Sequence, residues 1–449
     1  MEQVTILGAG ISGISTSFHI GHQKCRIYEA KPHYGGHVFS FVRDGFTWDD
    51  GPHVLFTDSE YVKEVFADGV DGEFEERVPE VTNYYKGHWI DHPAQSNLYQ
   101  IPEPLRTECL SSFLEARSRE LTRPANYEVW LRQAFGRVFA DTFPAAYTRK
   151  YWTTEPANLG TDWIGARVYY PSVDDIKGRY KGPLGKSTYW VKRFRYPSKG
   201  GFLSFLRKLA DGAPVQYGKN LERINFGKRQ MLFADKTQAA YQTLVSTIPL
   251  PILFRAAEDA PETVREAAEQ LKTTRMWLVD IAARHPAKVK HPWVYVYDED
   301  KLSVRITMME NLSPHNVPEG CTGMSVEVCG SDYKPLPSDP DAVAAKVRDE
   351  LLEMGLLESP EAVISTNVRY VPWGQVIFDH NRKSALQTVN TFLDSVGVVR
   401  VGRYAEWKYA MTHDCLLKAK HEAEKIVASF AGRTHDNAGV QHRYPHIQS

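Results

Sequence analysis

Three closely spaced glycines, Gly8, Gly10 and Gly13, stand between the apolar run Val4-Thr5-Ile6-Leu7 and a helical pattern running through Ser17, Phe18 and Ile20. In Gly8-Ala9-Gly10-Ile11-Ser12-Gly13 the first glycine permits a tight turn. The second lets main chain approach a pyrophosphate, and the third lets strand and helix pack closely. The helix then presents its unpaired N–H groups to phosphate oxygens. A second apolar run, Cys25-Arg26-Ile27-Tyr28, ends at Glu29, 21 residues after Gly8, where a carboxylate accepts hydrogen bonds from an adenosine ribose. An acid there repels a 2′-phosphate, which disfavours NADP. The glycine pattern alone would equally suit a turn without a ligand, but strand, turn, helix and acid together predict dinucleotide binding.

The chain continues Glu29-Ala30-Lys31-Pro32-His33-Tyr34-Gly35-Gly36-His37, with a second glycine pair just beyond the ribose acid. This arrangement resembles the glutathione-reductase and amine-oxidase class of FAD proteins, and the resemblance implies FAD rather than NAD.

Several segments must return to that turn if the fold is to close. Val398-Val399-Arg400-Val401 reads as a buried strand, Gly402-Arg403-Tyr404 as a turn, and Trp407 to Phe430 as a helix. Leu416, Leu417, Ala419, Ala423, Ile426 and Val427 form that helix's apolar side. Leu244-Val245-Ser246-Thr247-Ile248-Pro249 reads as one more strand of the same sheet. The expected class is α/β: a Rossmann-like FAD-binding domain of discontinuous segments, with an inserted helical lobe and an antiparallel sheet substrate lobe. The expected boundaries are 1–82, 200–250 and 395–432 for the FAD-binding domain, 83–199 for the helical insert, 251–394 for the sheet lobe and 433–449 for a flexible tail.

Between these segments, Asn83 to Ile176 is aromatic-rich and helical in pattern, whereas Met276 to Val328 alternates like strands. Within His291 to Glu310, Trp293, Tyr295 and Tyr297 share one face of a candidate hairpin. If Asp298-Glu299-Asp300 is its loop, Ser303, Arg305 and Thr307 lie on that same face. Aromatic rings would then meet an arginine; a surface hairpin with a solvated arginine fits the pattern equally well.

Length and composition set bounds without naming a function. At 449 residues the chain exceeds one hydrophobic core, and 42% hydrophobic with 24% charged residues is ordinary for a globular protein. A formal charge of -1 gives no global attraction to nucleic acid or anionic membrane. Five scattered cysteines without a paired motif argue against a disulfide framework or a zinc site, and no metal is expected. The first residues lack a basic leader and a long apolar run, which predicts a cytoplasmic protein without a membrane span.

Further segments, in shared order over most of the chain, resemble UDP-galactopyranose mutases of the eukaryotic type. They are Gly51-Pro52-His53-Val54-Leu55-Phe56, Lys86 to Gln95, Tyr147-Thr148-Arg149-Lys150-Tyr151-Trp152 and Trp163 to Val168. Trp293-Val294-Tyr295, Arg305, Asn311 to Pro314 and Gly402 to Tyr409 complete the set. The resemblance implies an isomerase that interconverts pyranose and furanose forms of a nucleoside-diphosphate sugar. In such mutases N5 of reduced FAD attacks the anomeric carbon, and NAD(P)H or a flavin reductase supplies the electrons. It implies His53, Arg305 and Arg403 as catalytic residues. Gln95, Trp152, Arg167, Tyr295 and Tyr409 then join the two last-named arginines in substrate binding. Gly51, His53, Gly402, Arg403 and Tyr409 add to the cofactor set of Gly8, Gly10, Ile11, Ser12, Gly13, Glu29, Ala30, Gly35, Gly36 and His37.

The chain also departs from that family. His92-Pro93-Ala94-Gln95 replaces a Tyr-Pro-Phe-Gln run, which puts the nucleotide in question. Pro52 replaces a small residue beside His53 and removes an N–H. His413-Asp414 stands where the family has polar amides. An FAD oxidase or dehydrogenase of the amine oxidase or protoporphyrinogen oxidase kind is the competing expectation, followed by a flavin-bearing binding subunit without catalysis.

Overall fold

The computed structural model describes residues 3–119, 123–185 and 188–436. It divides into two compact units. The first comprises residues 1–36, 208–265 and 390–449, and the second residues 37–207 and 266–389.

The first unit is built on a five-stranded sheet in the order Val398–Arg400, Thr243–Ser246, Val4–Leu7, Cys25–Tyr28 and Val215–Gln216. All its pairings are parallel. Val4–Leu7 is buried along its whole length, as a strand covered on both faces must be. The helix Ile11–Ile20 follows it and packs against the C-terminal helix Thr412–Asp436. Leu416, Ala419 and Ala423 are fully buried along that helix, whereas Leu417, expected on its apolar side, is 37% exposed. The helix also begins later than the periodicity predicts. Gly402 and Trp407 both take positive φ, and a buried Trp407 at φ 50 cannot continue a right-handed helix. Residues 437–449 of the expected tail lie outside the described residues.

The second unit holds a seven-stranded sheet in the order Val363–Val371, Arg275–Ala283, Thr322–Gly330, Arg305–Met308, Trp293–Val296, Thr82–Tyr85 and His88–Asp91. It is antiparallel except where Thr82–Tyr85 joins Trp293–Val296 in parallel. The opening of the stretch with helical pattern is therefore a hairpin, Thr82–Tyr85 with His88–Asp91, turned by Lys86 and Gly87 at positive φ. Helices follow it, among them Leu105–Arg117, Tyr127–Phe135 and a continuous run over residues 137–151. That run contains one π-helical turn, Asp141–Ala145, which absorbs Pro144.

Side chains of a strand alternate between faces, so the large sheet has two different sides. One side is apolar: Val279, Ile281, Val294, Val296, Ile306, Met308, Met324 and Val326 are buried with Val343, Val347 and Leu351 of the helix Pro340–Glu353. Each such side chain contributes about 1.5–3 kcal/mol by leaving water. The other side carries Asn367, Arg369, Asp280, Ser325, Glu327, Thr307, Arg305, Trp293, Tyr295 and Asn83, placed there by the pairing register.

Candidate functional site

In the first unit the candidate site is made mainly of backbone. Gly8 has φ +96, and a Cβ there would fall 2.4 Å from Thr247 Oγ1. Gly13 lies so close to the preceding turn that a Cβ would fall 1.9 Å from the Gly8 carbonyl oxygen. Gly10 bridges to Gly35, and the main chains of Gly10 and Gly36 nearly touch. Ile11, Ser12 and Gly13 open the helix, where N–H groups have no partner within it. Glu29 is buried. Its carboxylate accepts from Ala9 N at 2.7 Å and from Lys31 N at 2.8 Å, which ties this acid to the glycine turn and leaves lone pairs on both oxygens. Ala30 is exposed beside it.

The C-terminal turn reaches the same place. Gly402, at φ +99, packs so tightly on Ser12 that a Cβ would fall 2.1 Å from its Oγ. Arg403 donates from Nε to Ala410 O at 2.8 Å, and its guanidinium lies 5.5 Å from the Tyr409 ring. Chain separated by nearly four hundred positions thus forms one cradle of glycines, helix N–H groups and an acid. A side chain at Gly8, Gly13 or Gly402 would collide with Thr247, the Gly8 carbonyl or Ser12 and force the turn open, and a turn this close-packed ahead of a helix N-terminus fits an extended pyrophosphate-linked dinucleotide.

In the second unit the polar side of the sheet makes the other candidate site. The hairpin register pairs Trp293 with Thr307 and Tyr295 with Arg305, and residues 297–304 join the two strands, where a loop of three was expected. Parity survives the correction, so Tyr295 and Arg305 stand directly opposite on one face. Arg305 is not a solvated surface arginine, since its side chain is 16% exposed. Its Nε and Nη2 donate to the two Glu327 oxygens at 2.7 and 2.9 Å, and its guanidinium lies 5.8 Å from the Tyr151 ring. Burial opposes the charge of Arg305, but Glu327 more than offsets this and holds the guanidinium ionised. Tyr147 packs edge-on against Tyr295 at 5.3 Å, and its hydroxyl is pushed well above its ordinary pKa by burial.

His92 completes this wall. Its ring lies 4.8 Å from Tyr295 and 5.0 Å from Tyr189. Asn83 donates through Nδ2 to Ile90 O, so its Oδ1 must accept from His92 Nδ1, at 2.9 Å. That bond fixes the tautomer and leaves Nε2 as an acceptor. Burial pushes the His92 pKa down to about 3, so the ring is neutral at physiological pH. Trp293 Nε1 and Thr307 Oγ1, cross-strand neighbours on the same face, are buried without a hydrogen-bond partner among the described residues. Such orphaned groups favour a polar ligand or water over an apolar one.

The remaining expected residues of this unit fall at several places. His37 lies in the short turn Gly36–Val38. His53 Nδ1 is 2.9 Å from Gly51 O, and the ring packs on Phe202 at 5.5 Å. Gln95 is buried in the turn Ala94–Ser96 beside a small cavity walled by Leu98, Phe113, Phe135 and Phe139. Trp152 is buried among Trp163 and Phe378, in an aromatic core rather than on the polar face. Arg167 donates from Nη1 to Trp163 O and lies 5.9 Å from the Trp190 ring. Glu327, His92, Tyr147 and the Trp293–Thr307 pair were not among the expected site residues. Only the strand register, given Arg305, could have pointed to Glu327. Among the described residues no group of acids, histidines and cysteines could hold a metal, and no helix is long and apolar enough to cross a membrane.

Comparison with solved structures gives the fold. A reduced UDP-galactopyranose mutase superposes with a TM-score of 0.89 over 96% of both chains at 23% identity. A putrescine oxidase bound to putrescine superposes with a TM-score of 0.61 over 95% of this chain and 99% of the other, at 13% identity. A lysine-specific histone demethylase 1 homolog from Oryza sativa subsp. japonica is 36% identical over 77 residues, a match that spans 16% of this chain and only 9% of that protein. Residues 11–427 match the family of flavin containing amine oxidoreductases. The protein is therefore a flavin-dependent member of that family, with the fold of a UDP-galactopyranose mutase.

Proposed function

We propose that the protein is an FAD-dependent mutase that interconverts pyranose and furanose forms of a nucleoside-diphosphate sugar. The observation that carries this reading is the polar side of the large sheet, where Arg305, Tyr295 and His92 stand together. A diphosphate needs charged and hydroxylic donors, and a guanidinium fork suits its oxygens. An oxidase acting on an amine or a carbon centre has little use for such a wall. The similarity in fold to a UDP-galactopyranose mutase supports the same reading.

A flavin held at the cradle of Gly8, Gly10, Gly13 and Glu29 would supply, in its reduced form, the electron pair that the reaction needs. This chain's residues would hold and position the substrate. Arg305, already held ionised by Glu327, and Tyr295 would grip the diphosphate. Arg403 with Tyr409 would contribute a cationic group to the first unit's own site, and His53 would serve catalysis as the resemblance implies. His92 Nε2 would accept a hydrogen bond from the nucleotide, in place of the aromatic ring that the resemblance leads one to expect there. Electrons would come from NAD(P)H or a flavin reductase in the cytoplasm.

The test is turnover under two redox conditions. Purified yellow protein, reduced anaerobically with dithionite, should convert UDP-galactopyranose with no net flavin oxidation, and the oxidised form should be inactive. Oxygen consumption driven by an amine, without sugar-nucleotide conversion, would overturn the proposal and favour the oxidase reading.

A further inference from the structure

Lys150 is 2% exposed, and the functional reading above gives it no part. It lies on the last turn of the run over residues 137–151, between Tyr147 and Tyr151. Its Nζ donates to Asp298 O at 2.6 Å and to Ser303 O at 2.7 Å. These carbonyls flank the two ends of the connection between the strands Trp293–Val296 and Arg305–Met308. One ammonium therefore ties together both ends of the hairpin that carries Tyr295 and Arg305. The same connection is also held by Glu350, whose carboxylate accepts from Leu302 N, Ser303 N and Ser303 Oγ at 2.7, 2.9 and 2.6 Å. Asp298 is held in turn by Lys86 N.

The helical turn fixed by Lys150 also supplies the aromatic wall. Tyr147 packs on Tyr295 and Tyr297, and Tyr151 lies under the Arg305 guanidinium. A buried ammonium is expensive to maintain where an apolar side chain of similar length would pack. Burial drives its pKa down to about 7, against the opposing pull of Glu350, Asp298 and Asp300, with Lys334 adding to the lowering.

We propose that Lys150 is a positioning residue for the anion site: it locks the Tyr147–Tyr151 turn to the hairpin and so sets where Arg305 and Tyr295 meet a substrate diphosphate. The inference rests on the reading that this face binds a diphosphate. The neutral amine keeps donors for both carbonyls but binds them more weakly. Substrate affinity should therefore decline as the pH rises through 7.

The experiment is titration of flavin-loaded protein with UDP-galactose, whose diphosphate ester does not titrate in this range, together with steady-state turnover of the reduced enzyme. Lys150→Met, Glu350→Gln and Arg305→Lys are compared with the parent protein below their melting temperatures. Lys150→Met should weaken UDP-galactose binding about 5- to 30-fold and raise KM in proportion, with kcat changed less than about twofold. Glu350→Gln should act in the same direction with a smaller effect. The decline in affinity of the parent protein between pH 6 and 8.5 should be flattened in Lys150→Met. If Lys150→Met does not fold, Glu350→Gln and the parent protein's pH profile decide the question. Unchanged affinity in folded Lys150→Met or Glu350→Gln, with Arg305→Lys impaired, would overturn the positioning role alone. Unchanged affinity in Arg305→Lys as well would overturn the diphosphate reading, and the inference with it.

Discussion

The two units build candidate sites from different materials. In the first, main chain makes the cradle: Gly8, Gly13 and Gly402 matter because they lack a side chain, and the helix starting at Ile11 offers its own N–H groups. In the second, side chains make the wall, and its central members are held by other side chains, as Arg305 is by Glu327 and His92 by Asn83. A backbone cradle tolerates almost any neighbour but no added atom. A side-chain wall accepts added atoms more readily but fails when one partner of a buried pair is removed.

The sharpest way to break this contrast is Arg305→Ala. It strips the partner from Glu327, which is 2% exposed, and should lower stability by about 3–5 kcal/mol in chemical denaturation. Adding Glu327→Gln should recover most of that loss, because the buried charge is gone. A loss within about 0.5 kcal/mol for the single variant would show that the pair is not the buried unit described above.

Next in size is Gly13→Ala. Alanine in place of glycine inside a helix ordinarily stabilises by about 0.5–1 kcal/mol. Here the added methyl meets the Gly8 carbonyl oxygen, so the sign should reverse to about 3 kcal/mol of destabilisation, with loss of the yellow cofactor on gel filtration. A stable yellow Gly13→Ala protein would refute the backbone account of the first site.

The smallest effect concerns pH. Asp49 in the second unit is 3% exposed, and burial raises its pKa to about 6. It accepts from Ser40 Oγ, from Tyr196 OH at 2.8 Å and from Phe202 N at 3.1 Å. Its folded pKa lies above the ordinary 3.8, so the folded state holds the proton more tightly. This group's contribution is therefore most favourable below pH 4 and is lost as the pH rises through 6, with a loss of roughly 2–3 kcal/mol. Asp49→Asn should flatten the stability profile between pH 4 and 6. An unchanged slope there would show that Asp49 does not hold its proton.

How much was legible followed the same division. The strand, glycine turn, helix and Glu29 could be read from residues 4–29 alone, because local sterics and hydrogen bonding dictate them. The return of Leu244 and Val398 to the same sheet was also legible, since buried parallel strands are written as short continuous apolar runs. The hairpin at Thr82–Tyr85 and His88–Asp91 was hidden, because aromatic residues suit a helix face and a strand equally and only long-range pairing with Trp293–Val296 selects the strand. The late start of the C-terminal helix was hidden for a related reason, since nothing in its apolar periodicity announces a left-handed Trp407.

By itself, then, the sequence determined the glycine turn with its acid, the class of fold and the parity that puts Tyr295 and Arg305 on one face, all of which depend on local backbone rules or on the period of a strand. Tertiary structure alone decided that Glu327 faces Arg305, that Asn83 fixes the His92 tautomer and that Lys150 ties the hairpin ends. Those contacts join residues far apart in the chain, and only the sheet register and helix docking bring them within bonding distance.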